Sequence, residues 1–239
     1  MTKLNKDTEF TYLGHSTFTI KSPGGKTILI DPWVSGNPAC PDNLKNPESL
    51  DIMVVTHAHF DHIGDAVPLG KKHQPKVVGI FEICVWLGNK GIENTLPMNK
   101  GGTQEVDGIK FTMVHADHSC GILEEDGSIS YGGEAVGYII EFENGFKIYH
   151  AGDTAVFSDM KLISEIYKPE LALIPIGDLF TMSPLEASHA CRFLNVNKII
   201  PMHYGTFPAL TGTPAKLKEL TKDISGLEIL DIKPGETLS

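Results

Sequence analysis

Residues 51–62 read DIMVVTHAHFDH, and both the fold and the chemistry of the chain turn on this stretch. Ile52–Thr56 is a short, β-branched run of the kind buried as a strand. It leads into His57-Ala58-His59-Phe60-Asp61-His62, four ligand-type side chains within six positions. In extended backbone His57 and His59, two apart, point the same way. Asp61 and His62 fall where the chain should turn into a helix, so they can face a neighbouring point from another side. Such an arrangement suits two metal ions a few ångströms apart, because neutral imidazole and carboxylate are ligands for Zn, Mn or Fe. The competing reading is a polar loop with three chance histidines. The density of ligands just past a strand disfavours it.

The same placement recurs along the chain. His118 follows the apolar run Ile109–His115, Asp153 follows Phe146–His150, and His203 follows Lys198–Met202. Sites gather at the carboxyl ends of strands in α/β proteins, so the joint placement carries more weight than any one residue. Further strands are expected at Thr8–Leu13, Ser16–Lys21, Thr27–Ile30, Lys76–Ile80, Leu171–Pro175 and Leu227–Ile232. Pro23-Gly24-Gly25 marks a hairpin turn, and Asn144-Gly145, joining Val136–Glu143 to Phe146–His150, suits a type I′ hairpin. Ser183-Pro184-Leu185-Glu186 combines an N-cap serine, a first-turn proline and a capping-box glutamate. Ala187, Ala190, Cys191 and Leu194 then form the stripe of a buried helix face. A second helix is expected from Asp159 to about Lys168, before Pro169, and a third from Thr213-Pro214. Strands with interspersed helices imply a layered α/β protein, and the hairpins exclude a purely parallel sheet.

The chain has 239 residues, a length that suits one domain over 1–239. Its 20 basic and 30 acidic side chains give a formal charge of −10, and Arg192 is the single arginine. This argues against duplex nucleic acid, which needs a basic stripe. Cys40, Cys84, Cys120 and Cys191 form no CxxC pair, which disfavours a structural zinc site or redox dithiol. The start, MTKLNKDTEF, has no signal-peptide pattern, and no run of ~20 apolar residues exists to span a membrane. A cytoplasmic protein is the expectation.

The HxHxDH stretch, a lone later His, Gly152-Asp153-Thr154 and a late His together resemble the metallo-β-lactamase fold superfamily. Gly14-His15-Ser16, Asp31-Pro32, His150-Ala151-Gly152-Asp153-Thr154, Pro175-Ile176-Gly177-Asp178, Phe180-Thr181-Met182 and Pro201-Met202-His203-Tyr204 resemble its UlaG-like hydrolases more closely. That group includes L-ascorbate-6-phosphate lactonase, and the likeness runs from about Phe10 to Pro208. It implies an αββα sandwich, two mixed sheets face to face with helices outside and metals at one edge. It further implies that His57, His59 and His118 hold one metal, that Asp61, His62 and His203 hold another, and that Asp153 bridges them. Two divalent ions are expected, Zn or Mn, with Fe and Ni also compatible. The second set contains no cysteine, unlike the antibiotic-hydrolysing branches, and His59 is not a carboxylate, unlike the di-iron flavoproteins. His118 is preferred to His115 because His-Ser is the pairing of the family; His115 is left a packing or supporting role.

The expected activity is hydrolysis by hydroxide shared between two metals, acting on an ester-like bond of a small, anionic substrate, a lactone or a phosphate ester. A phosphodiesterase or nuclease is the first alternative, and a metal-containing binding protein without catalysis the second. Asp61 could orient or deprotonate the water, and His15, Tyr204 and Thr154 are candidate donors to the developing oxyanion. Asp178 is expected to support a ligand histidine, His150 to pack under the Gly152-Asp153 turn, and His73 and His189 to lie at the surface. Cys120 reads as a small buried thiol. Gly121–Glu134 reads as either a lid or an ordinary exposed loop. Relatives of the group point to self-association; no membrane partner is expected.

Overall fold

Ile52, Met53 and Val54 are all fully buried, which requires a strand covered on both faces. The computed structural model describes Leu4 and residues 6–239, and its two seven-stranded sheets supply that cover. The first half of the chain contributes strands β1 (Glu9–Gly14), β2 (Thr17–Lys21), β3 (Thr27–Ile30), β4 (Ile52–Val54), β5 (Lys76–Ile80) and β6 (Thr95–Met98). Helices α1 (Phe60–Ile63), α2 (Ala66–His73) and α3 (Phe81–Asn89) lie between β4 and β6. The second half contributes β7 (Thr103–Val106), β8 (Ile109–His115), β9 (Gly121–Leu123), β10 (Ile129–Tyr131), β11 (Val136–Glu141), β12 (Lys147–His150), β13 (Leu171–Pro175), β14 (Lys198–Met202), β15 (Glu228–Ile229) and β16 (Thr237–Leu238). It also carries α4 (Met160–Tyr167), α5 (Pro184–Leu194) and α6 (Pro214–Leu220).

The sheets run β16-β1-β2-β3-β4-β5-β6 and β15-β14-β13-β12-β11-β8-β7, with β9 and β10 pairing as a separate hairpin. Both follow one plan, an antiparallel meander (β16 to β3, β7 to β12) continued by three parallel pairings. Two antiparallel steps restore direction, so β1 runs with β3 and β4, and β8 runs with β12 and β14. Their carboxyl ends therefore emerge together, and those are the ends that precede the candidate ligands.

Strand pleating sorts the second sheet into two apolar layers. Phe111, Met113, Tyr138, Ile140, Leu171, Leu173, Ile200 and Met202 face the first sheet. Their alternates Val114, Ile139, Tyr149, Ala172, Ile174 and Ile199 pack with residues of α4, α5 and α6. The cluster between the sheets gathers side chains from Leu4 to Leu238. At the site edge the sheets are also joined by polar contacts: Tyr138 donates to the Val55 carbonyl at 3.1 Å, and Val136 N–H to the Thr56 carbonyl at 3.1 Å.

Several expectations need correction. The type I′ turn is at Asp107-Gly108, where φ is 53° and 84°, and not at Asn144-Gly145. There Gly145 alone has positive φ, 82°, and its N–H donates to the Phe142 carbonyl, giving a longer turn with a glycine bulge. Helices α2 and α3 lack sequence signals because neither has a side-chain N-cap; α2 ends on Gln74 in left-handed backbone where a glycine would be expected. Strand β6 contains Pro97, tolerated because it lies at the sheet edge. The expected strand at Leu227–Ile232 contracts to Glu228–Ile229. Gly121–Glu134 is not a plain loop but contains the β9–β10 hairpin. The capping box at Ser183 and the Thr213 cap form as read. Among the described residues no helix is long and apolar enough to cross a membrane.

The turn after β13 passes so close to the end of β14 that a Cβ on Gly177 would overlap the His203 carbonyl. Gly177→Ala should therefore cost about 2–3 kcal/mol through overpacking. That corresponds to a fall in thermal midpoint of roughly 5–10 °C for a chain of this size. Gly88 in α3 has open space around it, so Gly88→Ala should be neutral or slightly stabilising in the same melts.

Candidate metal centre

The segment after β4 stays extended through His59 (φ −66°, ψ 149°) before α1 begins at Phe60. His57 and His59 therefore project from extended backbone, while Asp61 and His62 come from the first turn of α1. His118 follows β8 in a loop clamped from the second sheet: Thr154 Oγ1 accepts from Asp117 N–H at 2.9 Å, and Ala155 N–H donates to the Asp117 carbonyl. Asp153 follows β12 through Gly152, whose positive φ of 63° permits the sharp turn. His203, after β14, has φ 56°, and its N–H donates at 2.7 Å to the carbonyl of His15, itself at φ 60°. Two facing non-glycine residues in left-handed backbone mark a site where local strain is held by its surroundings.

All seven ligand candidates meet in one place. His57 Nε2 lies 3.1 Å from His59 Nδ1, and His118 Nε2 lies 3.3 Å from the same Nδ1. Asp61, His62, His203 and His15 form a second group within 4.8 Å of one another. Asp153 Oδ2 sits between the groups, 2.9 Å from His203 Nε2, 3.3 Å from His62 Nε2, 3.8 Å from His118 Nε2 and 3.9 Å from His57 Nε2.

The orientation of these rings depends on a residue that the sequence displays only within the Asp31-Pro32 motif. Asp31 is fully buried; its Oδ1 accepts from Thr56 N–H at 2.8 Å. Its Oδ2 accepts from the Thr56 hydroxyl and from His62 Nδ1, each at 2.8 Å. The Thr56 oxygen is in turn 3.0 Å from His57 Nδ1. Because the Thr56 proton goes to Asp31, that oxygen accepts from His57 Nδ1–H. Both rings thus present Nε2 inward. On the other side Ser119 Oγ meets His59 Nε2 at 3.3 Å, leaving His59 Nδ1 to face the cluster. Carboxylates and hydroxyls behind ligand histidines set tautomer and aim in this way.

Electrostatics match this geometry. Burial holds His57, His59 and His118 below the usual imidazole range, so their lone pairs are available. Burial would also depress His62, but Asp153 and Asp31 outweigh it and raise it well above that range. Burial would push Asp153 up, yet His203 and His62 hold it well below the usual carboxylate value. Asp61 is likewise brought down to about 2, mainly because His15 Nε2 lies at 2.9 Å and outweighs its burial. His15, fully buried, is lowered to about 4 by desolvation.

A cation fits this donor set. Asp153 Oδ1 is buried without a hydrogen-bond partner at the centre of the cluster, and His62 Nε2 and His203 Nε2, though close to Asp153 Oδ2, make no well-aligned hydrogen bond. An orphan of this kind costs about 1–3 kcal/mol, a cost that coordination would remove. His57, His59 and His118 could hold one divalent ion, and Asp61, His62 and His203 a second, with Asp153 reaching both. Nitrogen with carboxylate oxygen suits Zn and Mn, and also Fe or Ni.

Other candidates are placed differently. The Tyr204 hydroxyl donates to Asp231 Oδ1 at 3.4 Å and is engaged outside the cluster. Thr154 is spent on Asp117 N–H and the Ala155 carbonyl. Asp178 is exposed and accepts from Leu179 N–H, so the support expected of it belongs to Asp31. His115 is exposed, edge-on to Phe157 and 3.2 Å from Lys100 Nζ. His150 Nδ1 accepts from Gly152 N–H beneath the Asp153 turn. His189 is exposed, and His73 is only partly so. The Cys120 thiol, buried and pushed up to about 11, is a poor nucleophile. Asp31, Thr56, Ser119 and Thr206 (its hydroxyl 3.1 Å from His15 Nδ1) escaped the strand-end reading. Only Asp31, directly after β3, carried a usable signal.

Residues 26–204 match the family model for the beta-lactamase superfamily domain. A UPF0173 metal-dependent hydrolase of Koribacter versatilis is 54% identical over 231 residues, covering 97% of each chain. One from Rubrobacter xylanophilus is 53% identical over 232 residues, 97% of this chain and 96% of the relative. Among solved structures, Igni18, a metallo hydrolase from the archaeon Ignicoccus hospitalis, superposes with a TM-score of 0.83 at 36% identity over 97% of both chains.

Asp31→Asn should leave the fold intact but lower metal affinity about 10- to 100-fold, read by competition with a chelating dye. The metal-free protein should also lose stability on acidification. His15 and His57 are neutral when folded but take up a proton in the unfolded chain below about pH 6.5. The unfolded state then binds more protons, so stability falls from pH 6.5 downward, until His15 protonates in the folded state near pH 4. For His15 the full effect is on the order of 3 kcal/mol. His62, raised when folded, acts in the opposite sense above pH 6.5. Melts from pH 7 to 4.5 should show a falling midpoint, with a shallower fall in His15→Gln.

Proposed function

The chain belongs to the beta-lactamase superfamily and, within it, to the UPF0173 metal-dependent hydrolases, and from that premise we propose that it cleaves an ester-like bond in a small substrate, a lactone or a phosphate ester, with two divalent ions bound. The observation that carries this reading is the convergence of five histidines on two carboxylates, with Asp153 Oδ1 buried and unpartnered and the inner nitrogens of His62 and His203 lacking well-aligned hydrogen bonds. Divalent ions held by these residues would supply Lewis-acid chemistry, bringing the pKa of a bound water toward ~7 and polarising a carbonyl or phosphoryl oxygen.

The residues divide the remaining tasks. Asp153 holds the two halves of the site in register across the sheets. Asp61, ionised at neutral pH, has a side chain 14% exposed and can accept a hydrogen bond from the attacking water. His15, neutral at pH 7, donates Nε2–H to Asp61 and fixes which oxygen remains open, so it acts through Asp61 and not on the substrate. Two dications against the carboxylates of Asp31, Asp61 and Asp153 would leave the site with one positive charge, before any bound hydroxide, within a chain of charge −10. This supports a small anion over a polymer. Four unpaired, buried cysteines are compatible with the reducing cytoplasm. The phosphodiesterase reading uses the same metals and is separated by substrate.

A panel of lactones, phosphomonoesters and phosphodiesters, each with Mn and Zn, should give turnover of one of the first two classes. Turnover of phosphodiesters alone would replace the ester reading. His57→Ala and Asp153→Ala should each lower turnover by at least about a thousandfold while circular dichroism stays native, because neither side chain belongs to the apolar layers that hold the sheets together.

A further inference from the structure

His150, the last residue of β12, is fully buried between the sheets, where the Phe18 ring of β2 meets it edge-on at 6.0 Å. Among the described residues it is the one buried histidine that joins neither ligand group. Its Nδ1 accepts from the N–H of Gly152, two residues on, at 3.2 Å. An imidazole that accepts through Nδ1 is neutral and carries its proton on Nε2. Burial, which holds the ring below the usual imidazole range, keeps it in that form. Nε2 in turn faces the backbone of Ser16, the residue after His15, without a well-aligned hydrogen bond.

The bond to Nδ1 falls where the chain has to be aimed. The ladder between β12 and β13 ends as Ala151 N–H donates to the Leu173 carbonyl at 3.0 Å. Gly152 then takes a positive φ of 63°. It lies so close to the first sheet that a Cβ there would stand 3.0 Å from Cβ of Thr56, the residue that links Asp31 to His57. The next residue is Asp153, whose Oδ2 lies between the two ligand groups. A rotation of the Gly152 peptide would therefore swing that carboxylate away from both groups at once. A buried N–H needs an acceptor, and here a ring locked in the core supplies it.

We propose that His150 is the positioning residue for the shared ligand: by holding the Gly152 N–H, its Nδ1 fixes the turn that aims Asp153 at both metals. The inference rests on the two-metal reading of the centre and is independent of which bond the protein cleaves. His150 itself touches neither metal nor substrate and acts through Asp153.

Substitution separates the two ring nitrogens. Asn places an amide oxygen where Nδ1 stands, Gln places its amide near Nε2, and Phe keeps the shape of the ring with neither. Affinities of the full chain for Mn and Zn are read by competition with a chelating dye, beside melts of the metal-free protein. His150→Gln and His150→Phe should each bind the metals about 10- to 100-fold more weakly. His150→Asn should keep an affinity close to that of the unaltered chain, although it leaves the largest cavity and melts lowest. A ring that only fills space gives the reverse order, Phe nearest to the unaltered chain and Asn furthest, and that order would overturn the proposal. Equal losses in all three variants would do the same.

A second measurement needs no variant. In the metal-free protein at neutral pH, the nitrogen-15 shifts of the His150 imidazole should show a bare Nδ1 and a protonated Nε2; a proton on Nδ1 contradicts the proposal outright. Failure of the unaltered chain to bind either metal would remove both this inference and the two-metal reading. Tight binding that none of the three variants weakens would remove this inference alone.

Discussion

The hydrogen bonds to the buried Asp31 carboxylate are the constraint on which the site depends. A carboxylate removed from water is tolerated only when its lone pairs are used, and here Thr56 N–H, the Thr56 hydroxyl and His62 Nδ1 use them. That satisfaction has a direct chemical consequence. It fixes the orientation of the His62 ring, and through Thr56 that of His57, so both rings turn Nε2 toward Asp153. Asp31 follows β3 and the histidines follow β4, adjacent parallel strands, so the pairing of those strands is what brings donor and acceptor together.

The second sheet reaches the same place by an equivalent route. Its parallel strands β12 and β14 deliver Asp153 and His203, and the His203 N–H bond to the His15 carbonyl ties this edge to the first sheet. Two like-built sheets thus each supply part of a ligand set that neither could complete. The apolar layer between them, from Leu4 to Leu238, stabilises the joint far more than the polar contacts at its edge. Those edge contacts decide instead where the ligands point. Left-handed backbone at His15 and His203, and the bare Gly177 beneath His203, are local costs of that aim.

Much of this was legible in the chain. Many of the core strands are short, β-branched and apolar, so Lys76–Ile80, Ile109–His115, Leu171–Pro175 and Lys198–Met202 have the bounds that their residues imply, and the second and last of these lead into the site. Helix α5 announces itself through Ser183, Pro184 and Glu186. Helix α3 does not, because Phe81–Asn89 is apolar on several sides and begins without a capping side chain. Asn144-Gly145 misleads because a turn dipeptide does not reveal how many residues the loop holds. The candidate ligands stand out in the sequence because metal chemistry favours His and Asp, here at strand ends. Tyr204, beside the candidate ligand His203 in sequence, leaves β14 on another side, and its hydroxyl meets Asp231. The supporting hydroxyls of Thr56, Ser119 and Thr206 have no spacing rule and become visible only once strands from distant parts of the chain are side by side.

The central claim is that two metals share Asp153 at this edge of the sandwich. Anomalous diffraction from crystals of the Mn- or Zn-loaded protein, recorded at the metal's absorption edge, tests it most directly. The account predicts two peaks: one ligated by His57 Nε2, His59 Nδ1 and His118 Nε2, the other by Asp61, His62 Nε2 and His203 Nε2, with Asp153 touching both. A single peak, or a second peak held by His15 in place of Asp61, would contradict it.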